Sequence, residues 1–442
     1  MKAGFARLDM TPSVGTRMYG EKENGKYSEG VLDPLYATAV VFDDGENRAV
    51  VLSVELLGLH VSRADEARSM IAKAIGTDPS AVYIACTHIH TGPYADWSLK
   101  GTAGVMEDYY TLLNEKLVEV SVLALQDAVP AKMFYTRGKA EQVAFVRRYR
   151  MKDGSVRTNP GGYQNPDVLE PMGLPDECVS NLILKREGKP EIGIVNFQVH
   201  PNVVNTNCFT ADYPKFVRDT YEKLIDNSLC MYLNGCQGDT NHIDCMYLAP
   251  GQCRGGYERA RYMGRKIAMA AVENYELAVE LSGDKVSFGQ KNIFVKVNKG
   301  TAEEIEEAKQ IIEQYEQGGL DAIVLPERYA KQKTSSVRRG AVRILANMDK
   351  PDQEEMPLNA IAVGDVVFSG IPGEPFTDIG RGIKEKSKFT LTMPTCCTNG
   401  YMGYFPMSAA FNDGGYEALT AKHVCGTAEQ IIEESVNLIN SL

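Results

Sequence analysis

The sequence lacks several features that define common classes of protein. Its 442 residues contain no run of about 18 apolar residues, the length that a membrane-spanning helix needs. Basic residues (47) are fewer than acidic ones (58), and the net charge of −11 argues against a protein that binds nucleic-acid phosphates. The N-terminus has no apolar signal segment. We therefore expect a cytoplasmic protein with a small-molecule partner and with no membrane or nucleic-acid partner, and the sequence is compatible with a homo-oligomer.

Cysteine motifs are also missing, and histidine is scarce. None of the ten cysteines belongs to a CxxC pair, which excludes a zinc ribbon and a thioredoxin-type site. Reduced thiols are the expected state in a protein without a secretion signal. Only six histidines are present, so imidazole chemistry has to come from a small set.

Strand-like and helix-like segments follow one another along the whole chain. AVVLSVELLGL (49–59) and AVYIACTH (81–88) predict buried strands. SRADEARSMIAKAIG (62–76) lies between them and predicts an amphipathic helix, with Ser62 and Asp65 as a capping box. The three segments predict a βαβ unit and hence an α/β protein. A further helix, expected to be solvated, is predicted over 301–317.

Residues 136–180 are rich in glycine, proline and asparagine and predict a long loop, which is either functional or a surface loop packed on the domain. A local group of arginines lies within this segment: Arg147, Arg148, Arg150 and Arg157. Such a group can bind a carboxylate or phosphate of the substrate through Arg147, Arg148 and Arg157. The alternative is a basic β-hairpin with the turn KDG.

Three of the six histidines follow predicted strands. His88 and His90 lie in CTHIHTGP, where residues two apart on a strand point to the same side. His200 ends the strand EIGIVNFQVH. Neutral imidazole is the commonest metal ligand. The spacing alone leaves two interpretations open, a metal site or histidines satisfied by other polar groups.

Two carboxylates also follow predicted strands. Glu374 comes after the strand in VVFSGIPGEPF and can complete a His/His/carboxylate metal set, or it can be an ordinary turn residue. Asp239 lies in NGCQGDTNH and can orient a ligand histidine, or it can be a solvated turn residue. A metal ion held by such a His/His/carboxylate set activates a bound water as a nucleophile.

The motifs together resemble a known family. ARLDMTPSVGTRMYG, THIHTGP, VHPN, NGCQGD, IPGEPFT and NGYMGYFP with GGYEA occur in this order. They are similar to the motifs in the catalytic domain of the neutral/alkaline (non-lysosomal) ceramidases. The resemblance implies one mixed α/β domain over 1–442, with central β-sheets flanked by helices.

The resemblance also implies a set of site residues. It implies one zinc ion per chain, with metal ligands at four positions: His88, His200, Glu374 and Tyr404. His90 and Tyr416 would contact the reacting carbonyl or its oxyanion and stabilise it.

The chain departs from the family pattern in three ways. Asn241 occupies the position of a serine of the family's reaction centre, which puts ceramide hydrolysis in doubt but leaves a possible hydrogen bond to substrate. The C-terminal β-sandwich of the longer ceramidases and the secretion signal of many members are missing. We therefore expect a substrate that is smaller and more polar than ceramide and that carries an anionic group.

Three functional hypotheses follow. The first is a zinc-dependent hydrolase that cleaves an amide bond with metal-activated water, with Asp239 or His90 moving the proton. The second is a carbohydrate-active metalloenzyme, a glycoside hydrolase or a lyase that acts on an acidic sugar. In it, Tyr404 and Tyr416 would serve as acid or base. The third is a non-catalytic binding protein.

Overall fold

The computed structural model of the protein describes residues 1–18, 26–93, 103–161, 164–246 and 255–442. The last two positions of the N-terminal motif, 19 and 20, lie outside these ranges. The strands of the first part of the chain are β1 (Lys2–Asp9), β2 (Arg17–Met18), β3 (Lys26–Tyr27), β4 (Gly30–Val31), β5 (Tyr36–Asp43), β6 (Arg48–Val54), β7 (Val82–Cys86), β8 (Val129–Lys139), β9 (Phe145–Val146), β10 (Arg148–Met151), β11 (Val156–Thr158) and β12 (Val168–Pro171). The strands of the second part are β13 (Cys178–Arg186), β14 (Glu191–Phe197), β15 (Cys208–Phe209), β16 (Ser228–Asn234), β17 (Thr240–Asn241), β18 (Val279–Glu280), β19 (Val286–Lys296), β20 (Gln353–Val363), β21 (Val366–Gly370), β22 (Glu374–Pro375), β23 (Leu391–Thr395) and β24 (Tyr404–Phe405).

The helices are distributed along the whole chain. The α-helices are α1 (Val61–Ile75), α2 (Ala103–Gln126), α3 (Asp212–Leu224), α4 (Tyr257–Val272), α5 (Ala302–Gly318), α6 (Thr334–Asn347), α7 (Thr377–Lys386), α8 (Ser408–Asp413), α9 (Tyr416–Thr420) and α10 (Thr427–Ser441). Short 3₁₀ turns lie at Pro79–Ala81, Tyr275–Leu277, Gly319–Ala322 and Glu327–Tyr329. No helix of the described ranges is both long enough and apolar enough to cross a membrane.

The larger of the two main sheets has nine strands. Eight lie in the order β16-β14-β13-β8-β1-β5-β6-β7, and β18 pairs with β8. The two ends of this sheet approach each other. Ser53 Oγ on β6 donates to the Tyr232 carbonyl on β16 at 2.5 Å, and Asn234 Nδ2 donates to the Thr87 carbonyl at 3.1 Å. The sheet is therefore curled, and the segments that follow β7 and β14 come together.

A second sheet packs face to face on the first. It has four strands in the order β19-β20-β21-β23. Phe42 of the large sheet contacts Phe368 of the small one, with ring centroids 6.0 Å apart in the core between the sheets. Helices α1 to α4 cover the outer face of the large sheet, and α7 and α10 cover the outer face of the small one. This layered arrangement confirms the predicted mixed α/β class with central sheets flanked by helices.

The strands read as continuous apolar runs because both of their faces are covered. On β5, Val40 and Phe42 belong to the core between the sheets, whereas Ala39 and Val41 belong to the core beneath α1 and α2. All four side chains are fully buried. The alternation follows from the two-residue repeat of a strand.

The predicted βαβ unit is present, with β6 and β7 parallel and α1 between them. The predicted capping box is wrong. The helix begins at Val61, and the imidazole of His60 accepts from the Ser62 amide as the N-cap. Asp65 pairs instead with Arg68 one turn later. The helix ends as predicted at Gly76, whose φ of 69° suits a residue without a side chain.

The long loop predicted over 136–180 is largely regular structure. It contains the end of β8, strands β9 to β12 and the start of β13. β10 and β11 pair antiparallel around the KDG turn, which confirms the predicted β-hairpin. The predicted solvated helix is α5, which has a capping box between Thr301 and Glu304 and packs against α6.

Candidate metal centre and its cavity

Three of the four predicted metal ligands lie together at the ends of strands from both sheets. His88 lies two residues after β7, and His200 lies three residues after β14, at the edges that the curled sheet brings together. Glu374 opens β22, just after β21 of the small sheet. β22 pairs in parallel with β24, which places Glu374 beside Tyr404. Packing of the two sheets is thus what assembles the site.

The histidines and the carboxylate are in close contact. Glu374 Oε2 lies 3.2 Å from His88 Nε2 and 3.4 Å from His200 Nε2. His90 joins the same group, because the ligand atoms of His88, His90 and His200 all lie within 4.8 Å of one another. His88, His200 and Glu374 are each about 1% exposed. The distances and the donor types suit a metal ion bound by imidazole and carboxylate.

His88 Nε2 and Glu374 Oε2 are buried atoms of this group that make no hydrogen bond within the described residues, and they face each other 3.2 Å apart. The other nitrogen of His88, Nδ1, lies 2.8 Å from the Leu57 carbonyl and can donate its proton there. With that tautomer, the Nε2 lone pair points toward Glu374. A buried polar atom without a partner is costly, and a cation between the two would satisfy both.

The backbone at His88 adopts a conformation that is rare for its residue type. His88 has φ of 70°, and Cys397, whose Sγ lies 3.4 Å from His88 Nδ1, has φ of 47°. Left-handed conformations cost energy in residues with a side chain and persist where the surroundings impose them. At His88, this conformation turns the chain after β7 so that the imidazole ring enters the site.

Burial and charge together set the protonation of the site. Burial disfavours charge on Glu374, but the nearby imidazolium of His88 outweighs it and holds the pKa of Glu374 well below its usual range. Burial also opposes charge on His88, yet the Glu374 carboxylate raises the pKa of His88 overall. Burial lowers the pKa of His90 to about 3, with help from His88. Burial and the Arg147 guanidinium lower the pKa of His200. His90 and His200 are thus uncharged imidazoles and Glu374 is a carboxylate, and the proton that this carboxylate favours on His88 is the one that a metal ion would displace.

Tyr401 belongs to the site and was not predicted from the sequence. Its hydroxyl donates to Glu374 Oε1 at 2.6 Å, and its ring stacks on His88 with centroids 6.0 Å apart. It therefore fixes one oxygen of the carboxylate and leaves Oε2 for the histidines. The available signal was its position in NGYMGYFP, three residues before Tyr404.

Tyr404, Tyr416 and Arg147 line the cavity beside the histidines. The two tyrosine rings meet edge to face with centroids 5.6 Å apart. The Arg147 guanidinium lies 5.4 Å from the Tyr404 ring, and its Nη1 lies 3.4 Å from His200 Nδ1. Its Nε donates to the buried carboxylate of Glu417 at 2.6 Å. Arg147 is thus at the site, with its charge balanced by Glu417.

The other two arginines predicted to bind substrate do not line this cavity. Arg148 is 5% exposed and donates to the carbonyls of Ala410 and Gly414. Arg157 pairs with Asp153 at 3.0 Å across the β10–β11 hairpin. Both side chains are engaged in holding neighbouring segments, so their positions give no support to a role in substrate binding.

Asp239 and Asn241 lie behind the cavity lining. Asp239 Oδ1 accepts from the amide and the hydroxyl of Thr377, both at 2.8 Å, at the start of α7. This contact anchors the segment that follows Glu374 and is not a contact with a ligand histidine. Asn241 Nδ2 donates to Asn159 Oδ1 at 2.6 Å, and Asn159 lines the cavity. Asn241 therefore reaches the cavity through Asn159.

The cavity that is lined by the histidines, Glu374 and the tyrosines has a volume of about 750 Å³, which is in the range of small-molecule sites. Its lining is mainly polar. Besides the histidines, Glu374 and the tyrosines, it includes amide, hydroxyl and basic side chains: Asn159, Asn202, Asn205, Asn207, Thr158, Ser335, Ser336, Lys26, Lys333 and Arg339.

The fold of this chain is shared with solved structures of neutral ceramidases. Neutral ceramidase from Pseudomonas aeruginosa matches with a TM-score of 0.73 and 17% sequence identity, over 100% of this chain and 74% of that one. A ceramidase complexed with C2 matches with a TM-score of 0.70 and 14% identity, over 100% of this chain and 75% of that one. No family model and no curated protein matches the sequence. The structural likeness confirms the predicted ceramidase-like fold.

Proposed function

We propose that the protein is a zinc-dependent hydrolase that cleaves an amide bond in a small polar substrate of the cytoplasm. The observation that carries the proposal is the buried pair of His88 Nε2 and Glu374 Oε2, which face each other without hydrogen bonds. The ceramidase-like fold supports the same class of reaction. We do not expect ceramide to be the substrate, because Asn241 replaces the family serine.

His88, His200 and Glu374 would hold the metal, with Tyr404 beside Glu374 as a fourth ligand. A zinc ion in such a site polarises a substrate carbonyl and acidifies bound water. Tyr401 orients Glu374 through its hydrogen bond to Oε1.

His90 and Tyr416 would bind the carbonyl oxygen of the substrate. Both line the cavity that contains the metal ligands. The imidazole of His90 and the hydroxyl of Tyr416 can donate to negative charge that develops on that oxygen. Arg339 donates to the Tyr416 hydroxyl at 2.7 Å, which polarises the phenol and strengthens it as a donor.

The lining supports a polar substrate. Amide, hydroxyl and charged side chains surround the metal ligands, and Val204 is the one aliphatic side chain among the lining residues of the described chain. Long hydrocarbon chains would meet few apolar contacts there. The cavity therefore fits a compact amide better than a lipid.

The test is to measure zinc in the purified protein by mass spectrometry and hydrolysis of a panel of small amides by amine release. We expect about one zinc per chain in the wild type, little in His88→Ala, and loss of hydrolysis with the metal. His60→Asn is the matched control, because His60 is an exposed N-cap that asparagine can replace. A wild type that binds no zinc when zinc is supplied would contradict the proposal.

Carbohydrate cleavage is the second candidate, because asparagine, serine and threonine side chains on the lining can bind sugar hydroxyls. The two reactions give different products. An amidase releases an amine, a glycosidase releases a reducing end, and a lyase gives an unsaturated sugar that absorbs in the near ultraviolet. Activity on acidic glycans together with no amine release would favour this candidate.

A further inference from the structure

Basic residues outnumber carboxylates among the described lining residues of the cavity. Among the described lining residues, four are basic: Lys26, Arg147, Lys333 and Arg339. Glu374 is the one carboxylate in this lining, and it belongs to the candidate metal centre. Arg147 is neutralised by Glu417 behind the lining. A bound metal would add positive charge, so the cavity attracts anions even though the protein carries a net charge of −11.

The start of α6 supplies a group of these residues, Lys333, Ser335, Ser336 and Arg339, which we call the α6 wall. Lys333 is the N-cap of the 14-residue helix, and its side chain makes no capping hydrogen bond. The first amides of a helix are donors without helical partners and favour a negative charge. The side chains around these amides decide whether an anion can bind here.

Ser336 is the independent sign of a missing ligand. Its side chain lines the cavity, it is 8% exposed, and its hydroxyl has no hydrogen-bond partner in the described part of the chain. The hydroxyl opens onto the cavity, so it can bond to a molecule bound there. An acceptor bound in the cavity at the start of α6 would satisfy it.

Lys333 and Arg339 are held in place on either side of Ser336 in the sequence. Lys333 Nζ donates to the carbonyls of Thr158 and Asn159, which leaves a third proton for a ligand. Arg339 Nη1 donates to the Tyr416 hydroxyl, and a planar guanidinium carries five N–H donors in all, so it can serve several acceptors at once. Tyr416 in turn packs against Tyr404, so the α6 wall adjoins the residues beside the metal ligands.

We propose that the α6 wall binds an oxyanion of the substrate, a carboxylate or a phosphate, while the scissile bond lies at the histidines. Lysine, arginine, a serine hydroxyl and helix amides are the donors that such a group prefers. The substrate is then a small molecule with an oxyanion at one end and the scissile amide at the other. The identity of that bond rests on the proposed function, whereas the binding of the oxyanion does not.

The experiment measures the Kd of inorganic phosphate and of succinate by calorimetry on the purified full-length protein. Lys333→Gln and Arg339→Gln should each raise the Kd of the preferred ion about 10- to 100-fold, the effect of losing one charge-assisted hydrogen bond. Ser336→Ala should raise it several-fold. Arg338→Gln is the matched control. Arg338 is the neighbour of Arg339 on the same helix, stacks on Tyr315 and does not line the cavity. The Kd of the ion for Arg338→Gln should therefore stay within twofold of the wild-type value.

The ion that binds more tightly identifies the oxyanion as a phosphate or a carboxylate. Every variant keeps the metal ligands, so a direct bond between an ion and the metal contributes equally to all of them. If Arg339→Gln does not fold, Arg339→Lys should fold and weaken binding less than loss of the charge does. Wild type that binds neither ion below about 10 mM, or unchanged Kd values in Lys333→Gln and in the Arg339 variant that folds, would overturn the inference.

Zinc content and amide hydrolysis of the same preparations separate the two proposals. A wild type without zinc or hydrolysis, but with oxyanion binding that depends on Lys333 and Arg339, would contradict only the proposed function. A zinc-loaded, active wild type whose Kd values do not change in these variants would contradict only the inference about the α6 wall.

Discussion

The histidines with Glu374 and the α6 wall contribute to one cavity, but they come from different parts of the fold. His88, His200 and Glu374 follow strands of the two central sheets and are almost completely buried. Lys333 and Arg339 are on or next to a helix outside these sheets and are partly exposed. The groups suited to chemistry are therefore fixed by the packing of the sheets, whereas the groups suited to substrate binding are fixed by a peripheral helix.

The largest expected effect separates these two groups directly. Glu374→Gln keeps the shape of the side chain but removes the anionic ligand, so zinc should be lost and hydrolysis should fall on the order of 10⁴-fold, about 5.5 kcal/mol. Arg339→Gln should keep its zinc. Metal analysis and kcat/KM of both variants provide the test. Equal loss of zinc in the two variants would show that the comparison is wrong.

The second prediction concerns the dependence of the site on sheet packing. Phe368→Ala removes a fully buried ring between the sheets and should lower the free energy of unfolding by about 3–5 kcal/mol. Phe294→Ala, on β19 and 63% exposed, should change it by less than about 0.5 kcal/mol. Urea unfolding measures both. A Phe368→Ala protein as stable as the control would contradict the packed core between the sheets.

The hydroxyl of Tyr401 supports one of the candidate metal ligands. Tyr401→Phe removes the hydrogen bond to Glu374 Oε1 and should weaken zinc binding about 10- to 100-fold, as the loss of such supporting contacts does in other metal sites. Competition with a chelator measures the affinity. Tyr262→Phe, on α4 and 42% exposed, is the control. Unchanged affinity in Tyr401→Phe would mean that Glu374 needs no support from this hydroxyl.

The smallest effect concerns the acid stability of the small sheet. The hydrogen bond from His423 Nε2 to Glu354 Oε1, 2.7 Å long, lowers the pKa of Glu354 to about 2. The folded state therefore prefers the carboxylate. This stabilisation is present above the unfolded pKa of 4.5 and is lost as the pH falls from 4.5 to 2.

Glu354→Gln should thus lower the free energy of unfolding by about 1 kcal/mol at pH 7, a small value because the pair is partly solvated. The difference from wild type should shrink below pH 4.5. Unfolding by urea at several pH values measures it. Glu355→Gln, the next residue on β20, is the control. A difference that persists at pH 2 would show that the hydrogen bond does not depend on the carboxylate.

The sequence predicted the buried side of the cavity better than the α6 wall, for a physical reason. His88, His200 and Glu374 follow long apolar strands, and strand ends of packed sheets converge, so local patterns together with the family motifs located them. The apolar runs and the helix between β6 and β7 likewise predicted the α/β class. These features depend on periodicity and on neighbours in the chain.

The residues that the sequence did not place depend on contacts between distant segments. Arg148 and Arg157 were selected because arginines are dense there, but the fold uses them to hold the hairpin and the α8–α9 connection. Lys333 and Arg339 come to the cavity because α6 contacts α9, which carries Tyr416. Nothing in the local pattern of α6 indicates that contact.

The helical pair α5 and α6 has a hydrophobic cluster of its own, formed by Ala308, Ile311, Val337, Ala341 and Ile344. This small core lies outside the sheets, so changes in the pair need not disturb the residues beneath the histidines. In proteins with this arrangement, the residues that bind a ligand can then change by exchange of a single helical unit while the groups around the histidines stay the same. The same property makes α5–α6 the natural segment to randomise in a library that seeks altered specificity.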